Sequence, residues 1–498
     1  MRILLINPPL QRLKGINYVY LPLGLGSLAA VLRDAGHDVR IYNAEIMEPG
    51  EEMLHDKGYM AYLEQHSRYL ATLEDAASPI WDTIDKRIRE FDPELVGVSV
   101  MTAKVGSSVR ISQRVKAWNP EVPVIWGGPH PAAQLSDMQH YPEVDLCALG
   151  EAEDTVVELA TALAEGKRSN DELQHIEGLA LRGDDGQWFA TGARTRVREL
   201  DRFPWPARDL NWADPGYDAL TLGSLITVRG CPFDCWFCDT PTYWGKKVRY
   251  RTPENVLAEI RELKERFGVR EFFFWDDTFT VRRQHVTALC EAMIREKIDI
   301  IWRCTSRVDC INDEMLDLMR RAGCVNIDVG IESGSDRTLI EMNKKETRQQ
   351  LLDGVAQIQR HGINVNAYFM LGFPEETEED ARATLELMEE IDLSRIYLSI
   401  FTPYPGTGLW DSARSHELIE EHPQWHRYSH QSPDNHFSTK IPLEKFRELV
   451  EEAARIVDRK NSRPGAYMRQ IMARRRYFAR HPMEAVRIVA GYGKKLFA

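Results

Sequence analysis

Two arrays of short apolar runs, each alternating with helical patterns, limit most strongly how this chain folds. In residues 1–165 the alternation has the order of a doubly wound parallel sheet. From about Leu222 six further strand–helix units follow, the order of a parallel barrel or partial barrel. In both arrangements ligands bind beyond the carboxyl ends of the strands, so the loops at those ends are where we expect a functional site.

The predicted elements can be given by residue. In the first array, strands are predicted at 2–6, 38–42, 95–100, 122–126 and 145–149, and helices at 23–35, 79–91, 106–118 and 152–164. A hairpin is predicted at 176–192, followed by a proline-broken, aromatic linker at 199–214. In the second array, strands are predicted at 223–227, 271–275, 300–304, 325–329, 365–370 and 396–401, and helices at 253–267, 283–296, 313–322, 347–362 and 377–390.

Composition excludes several classes of protein. A formal net charge of -13 argues against a general nucleic-acid binder, which needs a basic surface. No apolar run is long enough for a membrane span, and the amino-terminal apolar stretch is broken by Asn7, Pro8 and Pro9, so a cytoplasmic location is expected.

The tail differs from the rest of the chain in its charge. Residues 459–498 are rich in Lys and Arg and hold one acid, Glu484. This tail predicts either contact with an anionic membrane or substrate, or a solvated helix packed on the body.

Three of the eight cysteines, Cys231, Cys235 and Cys238, lie within eight residues, directly after the first strand of the second array. A C-x3-C-x2-C loop can place three thiolates around one face of a cubane iron–sulfur cluster and leave one iron open. Zinc is an alternative, although a structural zinc site is normally closed by four ligands and the fourth would have to come from a distance. Three unligated cysteines in a turn are a second alternative. The other five are predicted to be buried small apolar residues: Cys147, Cys290, Cys304, Cys310 and Cys324.

This motif, with the aromatic Phe237 just before its last cysteine, resembles that of the radical S-adenosylmethionine (SAM) superfamily. The resemblance implies a 4Fe-4S cluster on Cys231, Cys235 and Cys238 whose open iron binds SAM, and reductive cleavage of SAM to a 5'-deoxyadenosyl radical. It also implies SAM contacts in the cysteine loop and at the strand ends. The residues so implicated are Phe237, Asp276, Ser306, Arg307, Glu332 and Gly372. For any one of them a turn-forming or capping role is the alternative, and Thr377 fits a helix cap well.

The first array adds a second resemblance. The Asn7-Pro8-Pro9 start, the 126–131 turn WGGPHP and the PWPARDL linker resemble the cobalamin-dependent branch of these enzymes, which includes carbon and phosphorus methyltransferases and the anaerobic magnesium-protoporphyrin ester cyclase. Cobalamin contacts are implied at Asn7, Pro8, Thr102, Gly127, Gly128, Pro129, Gly150 and Glu151. The D-x-H-x-x-G motif of mutase-type domains is absent, so the resemblance implies a corrin without a histidine ligand below it. His130 is the nearest candidate ligand, or else a turn residue.

Other amino-terminal domains fit less well. A plain nucleotide-binding domain would carry G-x-G-x-x-G or a phosphate-binding loop, and the sequence has neither. The methylthiotransferase branch has three cysteines in its first domain, whereas only Cys147 occurs here.

The resemblance therefore implies an α/β fold. A Rossmann-like doubly wound parallel sheet (1–170) precedes a hairpin and linker (171–215), a radical SAM (β/α)6 partial TIM barrel (216–430) and a carboxyl-terminal helical, basic region (431–498).

The implied activity is methylation of an unactivated carbon, or less favourably of a phosphinate phosphorus. A cyclase or oxidase with both cofactors and a sensor without turnover are the alternatives. Catalytic residues are not assigned, and Tyr243, Trp244 and Trp275 either line a substrate pocket or fill the core. The expected partners are a small-molecule substrate and an electron donor such as flavodoxin or ferredoxin.

Overall fold

The computed structural model describes residues 1–17, 19–51, 58–210, 217–483 and 485–486. Residues 211–214 of the predicted linker and the tail beyond 486 lie outside these ranges. Two sheets organise the described residues, one in each half of the chain. The predicted α/β class, with a Rossmann-like sheet, a second parallel sheet and a helical carboxyl-terminal region, is confirmed. The boundaries of the individual domains stay a prediction.

The first sheet has the strand order β2-β1-β3-β4-β5-β6-β7. Its first five strands are parallel, and β6 and β7 form the predicted hairpin, which pairs antiparallel with β5. The order β2-β1-β3-β4-β5 places a topological switch point beside β1, where ligands bind in such sheets. The strands are β1 Arg2–Asn7, β2 Asp38–Asn43, β3 Leu95–Ser99, β4 Val124–Gly127, β5 Leu146–Ala148, β6 Leu179–Arg182 and β7 Trp188–Ala190.

Helices cover both faces of this sheet. They are α1 Leu23–Asp34, α2 Tyr59–Glu64, α3 His66–Glu74, α4 Pro79–Phe91, α5 Val105–Trp118, α6 Pro129–Ala133, α7 Glu153–Ala164 and α8 Asn170–Leu173. The four predicted helices, near 23–35, 79–91, 106–118 and 152–164, are present within a residue at each end. α2 and α3 were not predicted. Their buried residues include Tyr69 and Leu73, which pack against Gly106 of α5, a long-range contact that sequence periodicity does not show.

The second sheet is parallel, with the order β15-β14-β13-β12-β11-β8. Its six strands form the predicted partial barrel. They are β8 Ser224–Leu225, β11 Glu271–Phe274, β12 Ile301–Ser306, β13 Cys324–Glu332, β14 Asn364–Leu371 and β15 Arg395–Ile400. Between the first two lie β9 Val228–Arg229 and β10 Arg249–Tyr250, which pair antiparallel with each other.

The first strand of this sheet is shorter than the predicted 223–227. Its pairing ends at Leu225, because the Asp276 carboxylate accepts hydrogen bonds from the backbone N–H groups of Thr227 (2.6 Å) and Val228 (2.8 Å). These amides are therefore unavailable to the sheet. The chain turns away at this point and enters the cysteine loop.

The helices of the second half are α9 Ala219–Leu222, α10 Thr240–Tyr243, α11 Pro253–Phe267, α12 Arg283–Arg295, α13 Asp313–Arg321, α14 Asp336–Glu341, α15 Arg348–Arg360, α16 Glu378–Glu390, α17 Gly408–Ser415, α18 Leu443–Asn461 and α19 Pro464–Arg480. The five predicted helices are α11, α12, α13, α15 and α16, each within two residues at either end. The short helices α9, α10, α14 and α17 were not predicted. Thr377 caps α16 as expected, its side chain accepting from the Asp380 backbone N–H in a capping box.

The five scattered cysteines are mostly core residues. Cys147, Cys290, Cys304 and Cys324 are buried, as predicted, whereas Cys310 is only partly buried. Within the described residues no helix is both long and apolar enough to cross a membrane.

Candidate functional site

The cysteine loop runs from β9 to α10 and is fixed by backbone contacts. Gly230 has φ +98°, and a Cβ at this position would lie 2.9 Å from the Lys247 carbonyl oxygen, so only glycine fits there. Further along the loop, the Trp236 N–H donates to the Met342 carbonyl (2.9 Å), and the Leu409 N–H donates to the Trp236 carbonyl (2.8 Å). The loop is thus held between α14 and α17.

The three thiols of this loop have polar neighbours. The Cys231 Sγ lies 3.7 Å from the Thr278 hydroxyl, and the Cys235 Sγ lies 3.6 Å from a guanidinium nitrogen of Arg307. Burial raises the pKa of the Cys235 thiol and raises that of Cys238 to about 12. Thiols with such pKa values lose their protons when a metal binds them.

The donor set fits an iron–sulfur cluster by its chemistry. Three cysteines on one pinned loop, with a cationic guanidinium beside one of them, are suited to an anionic thiolate cluster. In the part of the chain that the structure describes, no three His, Cys, Asp or Glu side chains converge as a metal site. The fit therefore rests on the kind of ligand and on the loop that carries it.

Four buried charged side chains lie beside the cysteine loop. Arg307 stacks on Phe233 (4.0 Å) and lies 3.4 Å from Glu346, which in turn lies 3.1 Å from Lys344. Lys344 also lies 3.9 Å from Glu332. Burial raises the pKa of Glu332, whose backbone has a φ of +66°. Of these four, Lys344 and Glu346 were not predicted, because nothing in their sequence context shows that they fold back onto the loop.

Two of the predicted SAM contacts, Asp276 and Ser306, form hydrogen bonds within the protein. Besides the two backbone amides, Asp276 accepts a hydrogen bond from the Thr227 hydroxyl (2.6 Å), and it is 1% exposed. The Ser306 hydroxyl bonds to that of Thr280 and is also buried. Phe237 is partly buried against the core. In this structure Asp276 and Ser306 hold the ends of their strands in place.

Gly372 lies where the fifth barrel strand ends. Its N–H donates to Glu376 Oε2 (2.6 Å), its φ is +97°, and an added Cβ would lie 2.7 Å from the Phe446 ring of α18. The carboxyl-terminal helices therefore pack directly on the loop that the resemblance assigns to SAM binding.

Glu376 gives this loop a pH-dependent stability. Burial raises its pKa from 4.5 to about 8, so the folded protein holds a proton there at pH 7 that the unfolded chain releases. Stability from this group is full below pH 4.5 and is lost as the pH rises toward 8. We expect Glu376→Gln to be more stable than the wild type at pH 8 by more than about 1 kcal/mol. The difference shrinks at pH 5.

Urea unfolding at the two pH values measures this effect. The control is Glu379→Gln, at an exposed position one turn away, which should change stability by less than about 0.5 kcal/mol at either pH. Equal wild-type and Glu376→Gln stabilities at pH 8 would show that Glu376 is ionised in the folded protein.

At the carboxyl edge of the first sheet, a buried lysine joins three loops. Lys104 lies 2.8 Å from Glu45 and donates to the Asn7 side chain and to the Pro8 carbonyl oxygen, both at 2.9 Å. The predicted contacts Asn7 and Pro8 are thus bound into this network. Sequence reasoning missed Lys104 and Glu45, since a lysine at a strand end is ordinarily exposed.

Beside this edge lies a cavity of about 230 Å³. Small residues of α1 and of the sheet line it, among them Gly24, Ser27, Gly97 and Ala148. It brings together five predicted cobalamin contacts, Gly127, Gly128, Pro129, Gly150 and Glu151. Its far wall comes from the second half of the chain and consists of Ile226, Arg229, Tyr243 and Trp244. Tyr243 and Trp244 therefore line a pocket, whereas Trp275 is 42% exposed elsewhere.

Glycine is required at the turn after β4. Gly128 has φ +106°, and a Cβ there would lie 2.9 Å from the Val100 carbonyl oxygen. The remaining predicted contact, Thr102, lies outside this cavity and faces the His130 ring (3.3 Å). His130 itself is fully buried, 3.5 Å from Asp137 and edge-on to Trp425. Its ring is therefore a packing element of the turn.

An ion network joins the cavity to the cysteine loop. Glu151 lies 3.1 Å from Arg229 of β9 and also pairs with Arg249 of β10, while Glu153 lies 2.5 Å from Arg229. The side chains of Glu151 and Arg249 are at most 6% exposed. Arg229 precedes Cys231 by two residues, so the two halves meet at the point where the cysteine loop begins.

Comparison with known proteins agrees with this geometry. Residues 225–388 match the radical SAM superfamily, and residues 13–160 match the B12 binding domain. An uncharacterized methyltransferase of Pyrococcus horikoshii is 32% identical over 436 residues, 86% of this chain and 86% of that protein. The chain belongs to the cobalamin-binding radical SAM family. Members of this family are enzymes that use a 4Fe-4S cluster, SAM and cobalamin, and these cofactors apply here.

One further protein is similar to this chain in sequence, and one solved structure is similar to it in fold. The anaerobic magnesium-protoporphyrin IX monomethyl ester cyclase of Rubrivivax gelatinosus is 27% identical over 66% of this chain and 60% of its own. The structure of the radical SAM methyltransferase TsrM from Kitasatospora setae, with cobalamin and a [4Fe-4S] cluster bound, superposes with a TM-score of 0.67 at 18% identity. That superposition covers 92% of this chain and 91% of the other. It shows that the folds agree.

Proposed function

We propose that this enzyme is a cobalamin-dependent methyltransferase that places a methyl group on an unactivated carbon. The observation that carries the proposal is the position of Arg229, which lines the cavity on the first sheet and stands two residues before Cys231. Cobalamin at the cavity and SAM at the loop would then lie close together, as transfer of a methyl group from SAM to cobalamin and then to a substrate radical requires. Two of the similar proteins described above are methyltransferases.

In this proposal Cys231, Cys235 and Cys238 hold the cluster. When bound, the cluster supplies the electron that cleaves SAM, and cobalamin supplies the carrier for the methyl group. Arg307 and Lys344 place positive charge beside the thiolates, and Arg307 and Glu332 offer a donor and an acceptor to SAM. Phe237 and the Gly372 loop are proposed as further SAM contacts. Asp276 and Ser306 contribute by fixing strand ends.

The cavity of about 230 Å³ is too small for the whole of cobalamin and would take one part of it, between walls formed by Gly127, Gly128, Pro129 and Gly150. The small residues of this wall allow a broad ligand to approach the backbone closely. Asn7, Pro8 and Thr102 would border it from the adjacent loops. Because His130 is buried in the protein, it is not placed to bind cobalt. The corrin is proposed to sit without a histidine from this turn.

The cavity can be filled by a single substitution. Gly24 lines it in the first turn of α1, and a Cβ added there meets no atom within 4 Å. We expect Gly24→Leu to lower cobalamin affinity at least about tenfold, since the new side chain takes the ligand's volume. Helix stability should not fall, because leucine favours a helix more than glycine does. Equilibrium dialysis of cobalamin against the purified protein measures the affinity.

Gly465→Leu is the matched control. It also lies in the first turn of a helix, α19, with no atom within 4 Å of the added Cβ, but far from the cavity. Its cobalamin affinity should equal that of the wild type. Unchanged affinity in Gly24→Leu would place cobalamin elsewhere.

Anaerobic turnover tests the methyl transfer. The reconstituted enzyme is incubated with cobalamin, a reductant, SAM labelled with a trideuterated methyl group, and a small-molecule extract of its native cells. We expect deoxyadenosine and one product in which a trideuteromethyl group replaces hydrogen, detected by mass spectrometry. Deoxyadenosine without any labelled product would overturn methyl transfer.

A cyclase is the second candidate, and the similarity to the Rubrivivax gelatinosus cyclase favours it. The same experiment separates the two activities, because a cyclase or oxidase gives a product lighter by hydrogens and without label. A cofactor-binding sensor would give no deoxyadenosine.

The reaction also needs a substrate and a source of electrons. A small organic molecule is the proposed substrate, and a flavodoxin or ferredoxin in the cytoplasm the proposed electron donor. Direct reduction of the cluster by each purified donor, followed by visible absorption, tests the second point.

A further inference from the structure

Helix α19 lies across the amino-terminal ends of the barrel strands. Its inner face packs Ala473 and Tyr477 against Ile301 and Val325, which lie at the beginnings of β12 and β13. Polar contacts along its length fix it; among them, Arg320 donates to the Ala473 carbonyl (2.7 Å), and Arg474 lies 2.5 Å from Glu271. This end of the barrel is opposite the cysteine loop, which follows the carboxyl ends of the strands.

The outer face of α19 is apolar and basic. Met468 and Met472 are 57% and 49% exposed and lie one turn apart, and Arg475, Arg476 and Ala479 continue the same stripe. Beyond the helix, Met483 and Val486 are 86% and 69% exposed. Exposed apolar side chains in a row with arginines are typical of helices that lie in a membrane interface. We call Met468, Met472, Arg475, Arg476, Ala479, Met483 and Val486 the outer stripe.

The charge of this segment is opposite to that of the chain as a whole. Residues 463–486 contain six arginines and one acid, Glu484, while the chain has a net charge of -13. Three of the arginines pair with carboxylates of the barrel: Arg469 with Asp392, Arg474 with Glu271, and Arg480 with Asp299. The other three, Arg463, Arg475 and Arg476, are exposed. A second copy of the chain would bring the same arginines face to face across a symmetric contact, which like-charge repulsion disfavours. An anionic lipid surface complements both the exposed Arg475 and Arg476 and the exposed methionines.

We infer that the outer stripe binds the surface of a bilayer that contains anionic lipids. The enzyme then lies on the membrane through the amino-terminal end of its barrel, and the cavity and the cysteine loop face away from it. The inference is independent of the methyl-transfer proposal, because no residue of the stripe contacts the cavity or the loop.

Co-sedimentation with vesicles tests the inference on the full chain. The vesicles are equal parts phosphatidylcholine and phosphatidylglycerol, or phosphatidylcholine alone. We expect binding to the anionic vesicles, at least tenfold weaker binding to the neutral ones, and loss of binding as salt rises, because screening shortens the reach of charge. Arg475→Glu/Arg476→Glu should weaken binding to the anionic vesicles at least about tenfold. Met468→Ser/Met472→Ser should weaken it at any salt concentration.

Two control variants change exposed basic or apolar residues that lie outside the outer stripe. Lys86→Glu/Arg455→Glu changes two other exposed basic residues, and Ile340→Ser removes an apolar side chain that is 74% exposed on α14. Both should bind vesicles like the wild type, and all variants should unfold at the wild-type temperature. Equal binding to neutral and anionic vesicles, no binding by the wild type, or full binding by Arg475→Glu/Arg476→Glu would each overturn the inference. Capture of an acidic protein by a chain that ignores vesicles would also overturn it.

Discussion

Cys235→Ala is expected to lose the iron–sulfur cluster and, with it, the cleavage of SAM. Cys235 is one of three sulfur ligands on the loop, and its Sγ lies 3.6 Å from Arg307, among the buried charges beside the loop. Loss of a residue that only orients a metal ligand lowers activity by up to about a hundredfold. Because Cys235 is itself a ligand, its loss should lower deoxyadenosine formation by more than that. Iron and sulfide content, visible absorption and deoxyadenosine yield after anaerobic reconstitution measure the loss.

Cys310→Ala is the control for this substitution. Outside the cysteine loop, Cys310 is the only described cysteine that is not fully buried, and it lies in the turn after Arg307. Its variant should keep a full cluster. If Cys235→Ala bound as much iron and sulfide as Cys310→Ala, the cluster would have other ligands, and the assignment of the loop would fail.

Glu259→Ala should be the most destabilising change at a single charged residue outside the site. Glu259 is 1% exposed and bridges Arg208 of the linker (2.7 Å) and Arg251 (2.5 Å). Burial acts to raise its pKa, but the two guanidinium groups outweigh burial and hold the pKa below its usual value. Its removal leaves two buried cations without their carboxylate, which costs about 3–5 kcal/mol. Urea unfolding of the apoprotein at pH 7 measures this.

The matched control lies one turn along the same helix. Glu262→Ala removes a carboxylate that is 37% exposed and pairs with Arg266, and it should cost less than about 1 kcal/mol. Because the Glu259 pKa is lowered in the folded protein, its contribution is present above the unfolded pKa and is lost as the pH falls through the folded value. Equal losses in both variants would mean that Glu259 is solvated in the folded protein.

The order of strands and helices in each half could be predicted because both sheets are parallel and buried. Such strands give continuous apolar runs, and the intervening amphipathic helices give a clear period. The position of the cysteine loop directly after the first barrel strand was predictable, because the C-x3-C-x2-C run follows a short apolar stretch. The split of the first barrel strand was not, since it depends on Asp276, about fifty residues away, taking the amides of Thr227 and Val228.

The positions of the glycines around the candidate site could be predicted from the sequence, whereas most of its buried charged residues could not. Gly127, Gly128 and Gly150 were expected at strand ends, and the structure gathers them around one cavity. Glu151 was predicted only from its position in the loop, and the sequence could not show that arginines from the other half hold it. Lys104, Lys344 and Glu346 were missed because their burial arises from long-range contacts.

Two carboxylates, those of Glu151 and Glu153, border the cavity on the first sheet and pair with Arg229 of β9, the strand that leads into the cysteine loop. An occupant of the cavity that touches either carboxylate is therefore separated from Cys231 by one ion pair and two residues of chain.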